Sequence, residues 1–229
     1  MFNYIKKLGI ELEGGWNSVP EWEENEQHIV SDGSVRTEAR LVGELHYCSA
    51  ELENVCLFLK ECFPTTPING SMGLHVHLSF KELNSYRKLA ESSFKKYFLS
   101  KMKEYAKIDS YDQFLIRLKG ENDYCKNKWL PHKQLYQPSK GGERYTFINF
   151  CYTFHGTLEV RVLPVFPTYQ RSINAVKYLA NVFESYLDSV KESNVEMFKE
   201  LEIEQTFNSN LKSKIFDELL DFSEEGECA

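Results

Sequence analysis

The most constraining feature of this sequence is residues 69–80, where a glycine-bearing turn leads into strict alternation of apolar and polar side chains. Such alternation predicts a β-strand with one buried face, because successive side chains of a strand point to opposite sides of the sheet. The apolar positions are Leu74, Val76, Leu78 and Phe80, and the polar positions are His75, His77 and Ser79. Two imidazoles on one strand face are either a chance surface pair or part of a binding site, and this segment alone leaves both readings open.

Two further segments alternate in the same way and carry ionisable side chains. Near the start of the chain Glu11 and Glu13 share one face, and late in the chain Glu159 and Arg161 share one face. Side chains two residues apart on a strand lie about 6.5–7 Å apart along the same face. If the three segments belong to one sheet, its polar face gathers three carboxylates, two imidazoles and a guanidinium. Crowded carboxylates raise each other's pKa unless a cation lies between them, so we expect a divalent metal there.

Size and composition are typical of one folded domain in a reducing compartment. The 229 residues are 42% hydrophobic and 14% aromatic, which is enough for a packed core. The formal charge of −7 argues against bulk nucleic-acid binding. The cysteines form no Cys-x-x-Cys pair, which argues against a zinc knuckle. Because we find neither a signal segment nor an apolar run near the ~18 residues of a membrane span, we expect a soluble, cytoplasmic protein without membrane contact.

The remaining pattern predicts an α+β fold in which helices lie against a mainly antiparallel sheet. Apolar residues at helical spacing predict helices from Ser49 to Pro64, over 82–107, from a capping box at Ser110–Gln113 to Leu118, from Thr168 to about Glu192, and in a last pair ending near Leu220. Further extended segments are predicted over Val35–Leu41, over Glu44–Cys48 after a hairpin at Val42-Gly43, and over Arg144–Tyr152. Residues 16–31 and 120–143 are predicted to be loops, and His155 a turn residue. We expect a single domain over residues 1–229, with a strand-rich part to about 167, helices to about 222 and an acidic tail.

Carboxylates, imidazoles and arginine together suit a hard cation that binds nucleotide phosphate. The sequence contains no Walker phosphate loop, no His-Glu-x-x-His helix and no Gly-x-Ser-x-Gly elbow. Taken singly, Glu11 with Glu13 is typical of a solvated strand face. Glu159 with Arg161 is typical of a surface ion pair, which contributes only ~0–1 kcal/mol to stability. Lys140, next to two glycines, belongs either to a mobile loop or to a phosphate clamp. The prediction of a site therefore depends on all of these segments occurring together.

The order of these motifs resembles the glutamine synthetase superfamily: Glu-x-Glu, then Asn-Gly-Ser before Gly-Leu-His-Val-His-Leu-Ser, then Glu-x-Arg, over residues 9–163. The details are similar to its amidoligase branch, namely the opening Gly-Ile-Glu-Leu-Glu, Asp32-Gly33-Ser34, Glu44, Arg144-Tyr145 with Asn149-Phe150, and Thr157-Leu158-Glu159-Val160-Arg161. The resemblance implies a curved sheet like that of the glutamine synthetase catalytic domain, with helices on one face. The segment after Glu44 departs from the family pattern because it lacks the usual proline, which leaves Glu38 or Glu51 as alternatives to Glu44.

The resemblance further implies amide formation between a carboxylate and an amine, driven by ATP with Mg²⁺ or Mn²⁺ through an acyl phosphate. One Mg²⁺ would be bound by Glu13 and Glu44, and the other by Glu11, His75 and Glu159. The catalytic residues would be Arg161, Arg144 and Glu44, with the two arginines stabilising the transferred γ-phosphoryl group. The nucleotide and acceptor would be contacted by His77, Arg144, Lys140 and Asn149.

Several alternatives stay open at the level of sequence. A non-catalytic protein could keep the same fold and use the acidic cleft to bind a cation or a peptide. A metal-dependent hydrolase would use similar ligands. The acid and the amine, whether small molecules or peptides, are not specified, and the general base is open between Glu38 and Glu44. The oligomeric state is also open, although glutamine synthetase builds its sites between subunits.

Overall fold

The computed structural model describes residues 2–22, 25–26, 29–131, 134 and 141–190. Over these residues the chain has a mixed α+β fold whose main sheet is five-stranded and antiparallel. The strands are β1 (Ile5–Trp16), β2 (Glu21–Trp22), β3 (Asn25–Glu26), β4 (Leu41–Ser49), β5 (Leu74–Phe80), β6 (Ile148–Asn149) and β7 (Leu158–Val160). The helices are α1 (Leu52–Glu61), α2 (Leu83–Leu89), α3 (Ser92–Ile108), α4 (Asp112–Lys119), α5 (Tyr152–His155) and α6 (Tyr169–Ser189), with a 3₁₀ helix at Gly141–Arg144.

The order of strands in the main sheet is β4-β1-β5-β7-β6, so the long strand β1 lies beside both β4 and β5. The apolar positions of neighbouring strands face one another, as where Leu12 pairs with Leu45 on one side and with Leu74 on the other. All three are fully buried. The predicted alternation of residues 74–80 is confirmed, and the intervening polar side chains occupy the opposite face of the sheet.

Helices α1 and α6 cover the apolar face of the sheet. Helix α1 contacts β1 and β4, while α6 contacts α1, α2 and α3. Phe183 of α6 is fully buried, and its ring contacts those of Phe80 on β5 and of Phe94 on α3. The predicted start of α6 is confirmed, because the Thr168 hydroxyl accepts a hydrogen bond from the backbone N–H of Arg171 at 3.3 Å.

The prediction of one helix over residues 82–107 is wrong, because the chain forms two helices there. Glu91 is extended (φ −71°, ψ 152°) and separates α2 from α3. The two helices pack on different parts of the molecule: the Tyr86 hydroxyl of α2 accepts a hydrogen bond from the Phe80 N–H of β5, while α3 packs on α6 and α4. One straight helix would not reach both surfaces.

The predicted hairpin at Val42-Gly43 is also wrong. Strand β4 runs straight through these residues, with Gly43 opposite Gly14 of β1, and no strand is assigned to residues 35–40. The glycine serves a close backbone approach instead of a turn, since a Cβ at Gly43 would lie 2.0 Å from the Val30 carbonyl oxygen. Val30 forms an isolated bridge to Glu44, which extends the pairing at this edge of the sheet.

The predicted strand over Arg144–Tyr152 shortens to Ile148–Asn149. Its partner β7 is only three residues long. Between these two strands the chain forms the short helix α5. The capping box predicted at Ser110–Gln113 does not form, because Tyr111 precedes α4 and no side chain caps the helix. The predicted loop over residues 16–31 contains the short β2–β3 pair.

Lys140, part of the predicted loop over 120–143, and the predicted helices and tail after residue 190 lie outside the described residues. Within the part of the chain that is described, no helix is both long enough and apolar enough to cross a membrane.

Candidate metal and phosphate site

The register of the sheet brings the predicted polar residues together. Glu11 of β1 lies opposite His75 of β5, and Glu13 lies opposite Glu44 of β4. His77 of β5 lies opposite Glu159 of β7. Directly opposed side chains in an antiparallel pair have Cβ atoms about 4.5–5.5 Å apart. The predicted convergence of the three alternating segments on one sheet face is therefore confirmed.

The imidazole of His75 lies between three carboxylates. Its Nδ1 is 3.0 Å from Glu11 Oε2 and 3.5 Å from Glu159 Oε1, and its Nε2 is 3.6 Å from Glu13 Oε1. The residue is only 2% exposed. One buried ring is therefore close to all three acids.

His77 forms the closest ion pair with Glu11. Its Nε2 lies 2.8 Å from Glu11 Oε1, and its Nδ1 lies 3.2 Å from the Thr157 hydroxyl. Burial by itself would lower the pKa of His77, but the nearby charge of Glu11, assisted by Cys151 and Glu159, raises that pKa well above its usual value. Burial opposes ionisation of Glu11 too, yet His77 and His75 hold the pKa of Glu11 well below its usual range.

Glu159 is held in place from two sides. The Arg161 Nη1 donates to Glu159 Oε1, and the Asn149 amide donates to Glu159 Oε2 at 2.8 Å. Despite burial, the Arg161 charge lowers the pKa of Glu159, and Glu159 raises the pKa of Arg161. A further buried arginine, Arg117 of α4, donates to the Arg161 backbone carbonyl at 3.1 Å. The backbone and the side chain of Arg161 are thus both fixed.

The acids form two groups in which one potential ligand atom per residue lies within 4.8 Å of the others. We define the first ligand group as Glu13, Asp32 and Glu44, and the second ligand group as Glu11, His77 and Glu159. The second ligand group contains His77, whereas the resemblance implied His75 as the ligand. His75 nevertheless contacts both acids of this group, Glu11 and Glu159. The three carboxylates of the first ligand group are the kind of ligand that Mg²⁺ and Mn²⁺ prefer, whereas the imidazole of the second ligand group also suits transition metals such as Zn²⁺.

Both ligand groups open into one cleft of about 560 Å³, which is within the range for small-ligand sites. Its strand residues are Glu11, Glu13, Glu44, His75, His77, Asn149 and Glu159. The remaining lining residues are Asp32, Gly33, Ser34, Tyr124, Arg144, Tyr145, Cys151, His155 and Arg161. His155, predicted only as a turn residue, thus faces the cleft.

The structure also shows which of the alternative acids lies near the first ligand group. Glu44 is part of that group, whereas Glu38 and Glu51 are exposed and lie outside the cleft lining. Asn149, predicted to orient the acceptor, donates its amide to Glu159. Arg144 is exposed at the rim, where its Nη2 donates to the Tyr145 hydroxyl at 3.1 Å.

No metal-binding role was predicted for Asp32, and no role in the site was predicted for Tyr124 or Tyr145. Asp32 follows no strand alternation. Its Asp-Gly-Ser context predicts a turn and is part of the family resemblance, and in the structure its Oδ1 accepts from the Ser34 N–H at 2.7 Å. The rings of Tyr124 and Tyr145 meet edge to face at 5.4 Å, and the Arg161 guanidinium lies 5.4 Å from the Tyr145 ring centre. Tyr145 lies in the segment predicted as a strand over Arg144–Tyr152, and Tyr124 lies in the predicted loop over 120–143, so neither pattern indicated a place beside Arg161.

Comparison of the chain with protein-family models, with curated proteins and with solved structures finds no match.

Proposed function

We propose that this chain is an ATP-dependent carboxylate–amine ligase that requires Mg²⁺, with Mn²⁺ able to replace it. The observation that carries the proposal is the presence of two separate ligand groups in one cleft with Arg161 beside them. Two hard cations bound in one cleft suit a triphosphate, whose oxygens complete their coordination. The order of sequence motifs, which resembles the amidoligase branch, supports the same reading and a glutamine synthetase-like form of the α+β fold.

The donor set fits the cations that the proposal requires. The cleft collects five carboxylates, and its buried guanidinium, that of Arg161, is already paired with Glu159. One ion would be held by the first ligand group. The other would be held by Glu11 and Glu159 together with the imidazole of His75 or His77. The bound ions would neutralise the nucleotide phosphates.

The residues of this chain would then assist two steps. Transfer of the γ-phosphoryl group from ATP to the substrate carboxylate gives an acyl phosphate and ADP, and Arg161 and Arg144 would balance the charge on the transferred group. Attack by the amine forms the amide and releases phosphate, while a carboxylate accepts the amine proton. Glu44 is better placed for this than Glu38, because Glu44 lies in the cleft. A cytoplasmic location would supply ATP and Mg²⁺.

The test is release of ADP and phosphate across a panel of carboxylates and amines, including peptides, with product detected by mass spectrometry. Release should require Mg²⁺, a carboxylate and an amine together. Glu13→Gln and His75→Ala should abolish it. Glu38→Gln is the matched control, since Glu38 is an exposed acid outside the cleft, and it should retain activity. ATP turnover without an amide product would overturn the proposal.

A non-catalytic cation-binding or peptide-binding protein is the second candidate. The observation that favours it is that both arginines of the cleft already have protein partners. Arg161 donates to Glu159 and also, at 3.2 Å, to the Tyr124 carbonyl, and Arg144 donates to Tyr145. Titration calorimetry with Mn²⁺ separates the candidates, because the ligase should bind an ATP analogue only when the metal is present, whereas the binding protein should ignore the nucleotide.

A further inference from the structure

An apolar groove lies between α3 and α4, and none of its residues has a role in the proposed reaction. The groove has a volume of about 510 Å³ and an apolar floor of Ala106, Leu115 and Leu118. Lysines stand along its edges: Lys103 and Lys107 on α3, and Lys119 on α4. We call this surface the lysine groove.

The lysines of this groove are available to an incoming anion. Among the described residues none of the three forms a salt bridge. The nearby Glu104 is paired with Lys101 at 2.8 Å, and the pKa of Glu104 is lowered mainly by Lys101 and less strongly by the charge of Lys107. Lys103 and Lys107 are four residues apart and so project from the same side of α3. Lys119 stands on the other wall. The groove therefore presents an apolar strip between two positive edges.

The apolar surface continues beside the groove. Ile108 follows Lys107 directly and is 76% exposed, the highest value among the described large apolar residues. Leu115 and Leu118 are partly exposed as well. Apolar surface bordered by one sign of charge favours a partner that is amphipathic and of opposite charge.

The chain itself contains a segment of that chemistry beyond the described residues. Residues 215–222 read Ile-Phe-Asp-Glu-Leu-Leu-Asp-Phe, and the following Ser-Glu-Glu-Gly-Glu adds further acids without any basic residue. The spacing of the apolar positions predicts one helical face, which Asp217 borders on one side and Glu218 on the other, while Asp221 lies on the opposite face. This pattern is the complement of an apolar strip between lysines, and an amphipathic helix in a groove is a common recognition mode.

The length of the connecting chain permits the contact within one molecule. Helix α6 ends next to the start of α3, where the Tyr186 hydroxyl lies 2.8 Å from the Ser93 hydroxyl. From Ser93 to Lys107 the distance along α3 is about 21 Å at ~1.5 Å per residue. The 25 residues that separate Val190 from Ile215 would span about 38 Å even as one continuous helix, and more if extended. The connection is therefore long enough for the segment to reach the groove of its own chain.

We propose that the acidic amphipathic segment 215–222 binds in the lysine groove of its own chain. The carboxylates of Asp217 and Glu218, one on each side of the apolar face, pair with the groove lysines, and the apolar face of the segment covers Leu115 and Leu118. This contact is independent of the ligase proposal, because none of its residues lines the metal and phosphate cleft.

The test is zero-length carbodiimide crosslinking of the full chain, which joins only amines and carboxylates already in contact, followed by peptide mass spectrometry. Crosslinks should join Lys103, Lys107 or Lys119 to the acids of segment 215–222. Mixing ¹⁵N-labelled with unlabelled protein distinguishes crosslinks within a chain from those between chains. Low salt should increase the yield, because the pairs lie at the surface.

Charge reversal provides the matched comparison. Lys107→Glu with Lys119→Glu should lower the crosslinking of Lys103 to the segment at least tenfold, and adding Asp217→Lys with Glu218→Lys should restore protection of residues 215–222 from hydrogen exchange. Lys96→Glu, an exposed lysine of α3 outside the groove, should change neither quantity. The tail variant Asp217→Lys with Glu218→Lys alone changes no residue of the described fold and should lose the same protection.

Three results would overturn the inference. Crosslinks that spread equally over Lys95, Lys96 and the groove lysines would show contact without a site. Crosslinks found only between labelled and unlabelled chains would assign the groove to a second copy. Hydrogen exchange over residues 215–222 that is unprotected in the wild-type protein, and unchanged by the tail variant, would show that the segment does not bind.

Discussion

Gly73 directly precedes β5 and lies next to two side chains of the candidate metal site, those of Glu13 and His75. Its backbone N–H donates to Glu13 Oε2, and its carbonyl accepts from the Glu13 N–H at 3.1 Å. A Cβ built at this position would lie 2.7 Å from His75 Nε2 and 2.9 Å from Glu13 Oε2. The substitution Gly73→Ala therefore pushes a methyl group between two proposed ligand side chains.

The size of the displacement follows from these distances. Ordinary van der Waals contact for a Cβ begins at 3.4 Å, so the two side chains must retreat by about 0.5–0.7 Å. His75 is 2% exposed and is held by Glu11, and Gly73 is tied to Glu13 by two hydrogen bonds, so neither group moves without a cost. Metal sites tolerate deviations of about ±0.2 Å in ligand distance. We expect Mn²⁺ affinity to fall by about 10–100-fold, as when a supporting partner of a ligand is lost.

The assay is calorimetric titration of Mn²⁺ into the purified chain, with electron paramagnetic resonance of free Mn²⁺ as a second readout. Gly33→Ala is the matched control, since Gly33 lines the same cleft but a Cβ there meets nothing within 4 Å. That variant should bind Mn²⁺ within about twofold of the wild-type protein. Urea unfolding of both variants verifies that each is folded in the titration.

A folded Gly73→Ala protein that binds Mn²⁺ like the wild type would refute the reasoning, because the ligands would then not be in the arrangement described. Equal losses in Gly33→Ala and Gly73→Ala would also refute it, since steric contact with His75 and Glu13 would not be the cause.

Three further outcomes are expected. Burial alone would lower the pKa of His77, but the charge of Glu11 raises that pKa well above its ordinary value near 6.5. The His77–Glu11 pair therefore stabilises the metal-free fold fully below pH 6.5. Its contribution is lost as the pH rises through the raised pKa of His77. The advantage of the wild type over His77→Gln in urea midpoint, measured with chelator, should accordingly shrink between neutral and alkaline pH. Phe183→Ala removes a fully buried ring and should cost about 3–5 kcal/mol of unfolding free energy by urea denaturation, whereas a loss below 1 kcal/mol would contradict the described packing. Asp32→Asn should weaken one of two Mn²⁺ sites and leave the other, while Glu38→Gln should leave both, and an unchanged titration for Asp32→Asn would remove that residue from the first ligand group.

The secondary structure of a segment was easier to predict the more regularly its apolar and polar residues repeat. The pattern of residues 74–80 has the period of a half-buried strand, and the strand forms with the predicted residues inside. The stripe that starts at Thr168 likewise predicts α6, because a long amphipathic face has few other ways to be buried. Segments without a clear period were predicted less well: Gly43 was interpreted as a turn, although it allows Val30 to approach the edge of β4.

What the sequence by itself determines here is which face of each strand is polar, since side-chain direction follows from a period of two whatever the neighbours are. Glu11, His75 and Glu159 could be assigned to such faces without coordinates. Only the tertiary structure decides which positions are opposite one another, because the pairing register depends on the packing of β1 against β4 and β5 and leaves no mark within any one strand. The same holds for Asp32, which joins Glu13 and Glu44 from a loop whose place is set by contacts remote in sequence.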